Sequence, residues 1–149
     1  MFVKALTALL VAIAAVAVPV VGSAHDSKDP RHIAMTGLAK DMKAIAGQAK
    51  AGRIEPSAVA AAARVEDTAG RMLELFPAGS GTAHDRAKPE IWSDWAGFTA
   101  KATEFERAAA DLLAATASGD PGRVGMALKA AGQSCKSCHR PYRKPKKAE

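Results

Sequence analysis

Residues 89–118 read PEIWSDWAGFTAKATEFERAAADLLAATAS. Ile91, Trp95, Phe98, Ala102, Phe105, Ala109, Leu112 and Thr116 follow one another at alternating steps of four and three. That spacing keeps them on one stripe of an α-helix and predicts a single helix from Pro89 to Ser118. The wider composition agrees. Alanine supplies 35 of 149 residues and aromatics only 5%. Alanine is the strongest helix former, and strands favour β-branched and aromatic side chains, so a largely β chain is excluded.

Outward from this stretch, Ser118-Gly119-Asp120-Pro121 supplies a helix stop, an N-cap and a first-turn proline in succession. A further helix follows, with Val124, Leu128, Ala131, Cys135, Cys138 and Tyr142 again at steps of four and three. Pro141 lacks an amide proton, so that helix is expected to loosen there. On the other side, Pro77 to Lys88 contains Gly79 and Gly81 and reads as a long loop. Pro56 to Phe76 reads as a helix with an alanine-dominated face. Lys28 to Lys50 reads as another, with Met35, Leu38, Met42, Ile45 and Ala49 on its face and Gly52 as its stop. Four amphipathic helices with short first and third connections predict an all-α, antiparallel up-down-up-down bundle.

Residues 1–24, MFVKALTALLVAIAAVAVPVVGSA, precede that domain. Lys4, the apolar run and the small residues Gly22-Ser23-Ala24 predict a secretory signal cleaved after Ala24. Residues 25–149 remain as one domain, with no stable membrane insertion expected after cleavage. The full chain carries a net charge of +6 and stays basic without Lys4. Export makes a nucleic-acid partner unexpected, and the basic balance suits acidic partner proteins.

Cys135-Lys136-Ser137-Cys138-His139 is a Cys-x-x-Cys-His sequence. In an exported protein it is the attachment site of c-type haem. On a helix, both sulfurs and the imidazole lie near one face, so two thioethers and one iron ligand come from the same side. A thiol redox pair lacks its usual βαβ setting here, and a zinc site lacks a second cysteine pair. One covalent haem c per chain is therefore expected, with His139 on the iron.

Bundle topology then places Arg31 to Leu38, Met72 to Phe76, Ile91 to Trp95 and Cys135 to Arg143 at one end. Phe76, Trp92, Trp95 and Leu38 are candidates for an apolar haem wall, with one tryptophan facing outward at least in part. Met126 and Met42 are expected in the core. Met35, Met72, His32 and an open position all stay available for the iron's sixth site.

The chain resembles the class II c-type cytochromes, the cytochrome c′ family, over essentially all of residues 25–149. The resemblance rests on the C-terminal haem motif continued through Arg140-Pro141-Tyr142-Arg143, and on Ala87-Lys88-Pro89-Glu90-Ile91-Trp92. Members of that family are themselves established examples of the four-helix bundle. In its low-spin branch a methionine four residues after a helix-one arginine ligates iron; elsewhere that position is apolar and the iron binds gases. Here the arginine looks like Arg31 and the methionine is Met35. The resemblance thus implies iron ligation by His139 and Met35, a haem propionate beside Arg31, and Arg143 at the haem. It implies a periplasmic bacterial electron carrier rather than an enzyme, serving redox partner proteins. The alternative is a five-coordinate protein that binds NO or CO. Helices one and two offer candidate faces for a homodimer.

Overall fold

The computed structural model describes residues 29–81 and 86–145. The expected signal, His25, His84 and the last lysines lie outside the described residues. The elements are α1 (Pro30–Lys50), α2 (Pro56–Gly70), a 3-10 turn (Met72–Leu75), α3 (Glu90–Ser93), α4 (Trp95–Ala117) and α5 (Pro121–Tyr142).

Local chemistry sets the ends of these helices. Asp29 caps α1 by accepting the Arg31 amide at 2.8 Å, and Asp120 caps α5 by accepting the Gly122 amide at 2.8 Å. Prolines open α1, α2 and α5, where no amide proton is needed. Gly52 and Gly119 take φ of 69° and 71° after α1 and α4, a conformation that disfavours any side chain.

The long helices pack as neighbours around a closed circuit: α1 on α2, α2 on α4, α4 on α5, and α5 on α1. This is the expected four-helix bundle. Ile45, Ala58, Ala62, Val65, Ala109, Leu112 and Val124 are fully buried at its centre. Many core positions are alanine, so the helices approach closely. Asp41 also enters, and its carboxylate accepts two hydrogen bonds from Arg64 across α1 and α2, at 3.0 and 2.5 Å.

Three expectations need correction. The second helix ends at Gly70, not Phe76. Glycine is a weak helix former, and the chain tightens into the 3-10 turn that delivers Met72 and Phe76 to the core. The third helix is split at Asp94, whose φ of −121° and ψ of 55° leave the helical region. Ile91 and Phe98 stay buried on either side, so the stripe conceals the break, but Trp95 turns out and is 41% exposed. Met126 is not core: it is 69% exposed. It sits two residues after buried Val124, which is more than half a turn away around the helix. Pro141 lies inside α5, which runs on one residue further to Tyr142 before Arg143 turns extended.

Candidate functional site

The last turns of α5 carry Cys135, Cys138 and His139, all half-buried. Both cysteines are free and pack against the core, as do Met35, Leu38 and Met42 from α1. Burial pushes the Cys135 thiol up. Burial, followed by the neighbouring Cys135, pushes Cys138 up to about 11. Thiols held in the neutral form are poor redox nucleophiles, which argues against a disulfide-exchange centre. Among the described residues no group of three or more His, Cys, Asp or Glu side chains could hold a metal ion. That excludes a zinc cluster built from them.

His139 is held below the usual histidine range, first by burial and then by the charges of Arg143 and Arg86. A neutral imidazole is the form that ligates a metal. The donor set is therefore two desolvated thiols one helical turn apart and one neutral imidazole. It fits a group bonded through both sulfurs and ligated once by nitrogen, and fits little else.

The aromatic residues of this end form a connected cluster. Phe76 and Phe98 meet edge-on at 5.0 Å between ring centroids, and Phe98 meets Tyr142 at 5.4 Å. Trp95 lies against Phe98 at 5.6 Å from outside. Of the expected wall residues, Phe76 is buried, Leu38 and Trp92 are half-buried and Trp95 is exposed. Trp92 donates its indole N–H to the carbonyls of Phe76 and Pro77 at 3.3 and 2.9 Å. It thereby ties the loop after the 3-10 turn to α3.

Arg31 reaches the same loop. Its Nη2 donates to the Ser80 carbonyl at 2.6 Å, and its guanidinium lies 5.4 Å from the Phe76 ring centroid. Met35 follows one turn later on α1 and is half-buried. Met72 is buried in the core, whereas His32 is exposed. Arg143 is exposed, and its amide donates to the His139 carbonyl at 3.0 Å.

Sequence reasoning missed two features of this end. One is the hydrogen bond from Tyr142 to Asp94, 2.7 Å long and 48 residues apart in sequence. The other is Arg86, whose charge bears on both His139 and Arg143. Neither leaves a periodic signal; an arginine in a glycine-rich loop looks like any solvated cation.

Residues 26–143 match the family described as Cytochrome C′. The chain belongs to the cytochrome c′ family. Its cofactor is covalently bound haem c. A cytochrome c′ from Pararhodospirillum photometricum is 36% identical over 117 residues, covering 76% of this chain and 92% of that protein. Cytochrome c-554 of Cereibacter sphaeroides is 37% identical over 119 residues, covering 76% and 89%. The chain spans about half the length of other curated relatives that it matches. Cytochrome c′ of Alcaligenes xylosoxydans, 44% identical over 68 residues, is covered over 54% of its length and 46% of this chain.

Solved structures agree. Cytochrome c′ of Rubrivivax gelatinosus superposes with a TM-score of 0.70 at 31% identity, covering 80% of this chain and 96% of that one. A nitric oxide complex of a cytochrome c prime variant from Alcaligenes xylosoxidans superposes with a TM-score of 0.72 at 29% identity, covering 81% and 95%.

Proposed function

We propose that this protein binds small diatomic gases, NO and CO, at a haem held by Cys135, Cys138 and His139. The observation that carries this reading is the likeness to cytochrome c′ structures, one of them a nitric oxide complex. It reverses the order of the two functions read from sequence, where electron transfer came first. When bound, the haem would supply an iron able to take up a diatomic gas.

The chain's own residues do the rest. Cys135 and Cys138 anchor the group through thioethers, and α5 aims the neutral His139 imidazole at the iron. Phe76, Leu38 and Trp92 keep water from its apolar faces. Arg31, a cation at this end of the bundle, would pair with a propionate carboxylate, and Arg143 would contribute a second positive charge. Met35, half-buried on α1 one turn after Arg31, would control access to the iron.

A second reading is favoured by the identity of residue 35. A methionine thioether is an iron ligand, whereas an aliphatic side chain is not. Were Met35 to ligate the iron, it would leave no site for a gas, and the protein would pass single electrons between acidic redox partners. Under either reading the protein works in the bacterial periplasm, delivered by the signal in residues 1–24. A homodimer through α1 and α2 belongs to the same proposal. Among the described residues no helix is long and apolar enough to cross a membrane.

One experiment separates the two readings. Optical spectra of the ferric and ferrous protein are recorded with and without CO, and again for Met35→Ala. A high-spin spectrum and ready CO binding, indifferent to the substitution, supports gas binding. A low-spin spectrum with the weak far-red sulfur-to-iron band, lost in Met35→Ala, overturns it in favour of electron transfer.

A further inference from the structure

The loop before α3 is laced to the segment that follows the haem motif. The Lys144 amide donates to the Arg86 carbonyl at 2.8 Å, and the Lys88 amide donates to the Tyr142 carbonyl at 3.0 Å. Ala87 and Arg143 pair as an antiparallel bridge. The Arg86 side chain completes the latch: its Nε and Nη2 both donate to the Lys144 carbonyl, at 3.0 and 2.7 Å. Arg86 is half-buried. A guanidinium held by two bonds to one carbonyl is fixed in place, and it keeps its charge at every working pH.

We infer that Arg86 sets the reduction potential of the haem, as a fixed cation latched to the segment that follows His139, where it favours the reduced iron. This rests on the reading that His139 ligates the iron. The argument is Coulombic. Loss of one electron from the iron adds one positive charge to the site, and a nearby fixed cation makes that addition costlier. A partly buried charge is screened by salt less than a mobile surface lysine. The latch places Arg86 at the end of the haem-bearing helix: its guanidinium holds the Lys144 carbonyl, Ala87 beside it pairs with Arg143, and the Arg143 amide donates to the His139 carbonyl at 3.0 Å. Arg86 contributes no ligand and touches no gas.

The test uses the haem-loaded protein at low ionic strength. Midpoint potentials are measured by spectroelectrochemistry with dye mediators for the native chain, Arg86→Lys and Arg86→Gln. Arg86→Gln is expected to lower the ferrous-to-ferric ratio, at a fixed applied potential, by roughly two- to tenfold. Arg86→Lys keeps the charge and is expected to stay near the native value. Both variants lose the bidentate latch, so thermal melting reports the structural part separately. An unchanged potential in Arg86→Gln overturns the inference, as does a Lys variant shifted as far as the Gln variant. Hyperfine-shifted imidazole resonances in the ferric NMR spectrum check the histidine independently. Their absence overturns the ligand reading and Arg86's role with it; their presence with a flat potential overturns Arg86's role alone.

Discussion

The Tyr142 hydroxyl donates to Asp94 Oδ2 at 2.7 Å and so joins the last turn of the haem-bearing helix to the break between α3 and α4. Asp94 also accepts the Gly97 amide at 3.2 Å, so one carboxylate both starts α4 and holds the end of α5. Tyr142 is three residues from His139. The imidazole's helix therefore cannot fray without loosening the start of its neighbour.

Tyr142→Phe removes this bond and keeps the ring packed on Phe98. The expected loss of stability is about 1.5–3 kcal/mol, as for a hydrogen bond to a charged acceptor. The bond to Asp94, with burial second, raises the Tyr142 phenol to about 12. An unfolded tyrosine titrates near 10. The folded state thus holds the proton more tightly. Its stabilisation is complete below pH of about 10 and is lost as pH rises towards about 12. Urea unfolding across that range should show this alkaline decline in the native protein. The part due to Tyr142 should be absent from Tyr142→Phe; identical declines would refute the assignment.

Gly97 is the glycine this junction requires. A Cβ there would fall 2.6 Å from the Tyr142 hydroxyl and would also strike the Asp94 carboxylate. Alanine is otherwise the better helix former by about 1 kcal/mol. Gly97→Ala is therefore expected to destabilise the native protein, yet to cost less when Tyr142 is already Phe. A double-mutant cycle by chemical unfolding measures that coupling. Simple additivity would mean that the Cβ does not displace the pair.

These couplings mark the boundary of what the sequence shows. The caps around Asp120 and the Cys135-to-His139 motif are local patterns and appear where their spacing puts them, and the stripe from Ile91 to Thr116 does so except at Trp95. The break at Asp94 was hidden because Ile91 and Phe98, seven residues apart, keep the same face whether or not the helix is continuous. The exposure of Met126 was legible, since a residue two places from Val124 must point away from it. The Arg86 latch and the Tyr142–Asp94 bond join segments 58 and 48 residues apart, and periodicity carries no information at that range.

The Asp41–Arg64 pair predicts an asymmetry. The Asp41 side chain is 12% exposed and that of Arg64 is 61% exposed. Arg64→Leu removes the partner and leaves a buried carboxylate with lost hydrogen bonds. Asp41→Leu leaves only a solvated arginine. Removing one member of a buried pair costs more than replacing both with apolar groups. The melting temperature should therefore fall further in Arg64→Leu than in the double variant Asp41→Leu/Arg64→Leu. The reverse order would show that the surrounding alanines cannot accommodate the second leucine.

Arg31 offers the closest test of how the haem end is organised. Its hydrogen bond to the Ser80 carbonyl and its place over the Phe76 ring fasten the loop after the 3-10 turn to the first turn of α1. The Trp92 indole fastens the same loop from the other side. Arg31→Gln is too short to span to Ser80 while covering Phe76, so the loop should open locally while the bundle stays folded. Hydrogen exchange is the suitable measurement, because it resolves local from global opening. Amides of residues 78–81 should exchange several-fold faster in Arg31→Gln, while those at the centres of α2 and α4 keep their native rates. Equal acceleration everywhere would instead make Arg31 a global stabiliser. No change at the loop would show that Trp92 alone holds it.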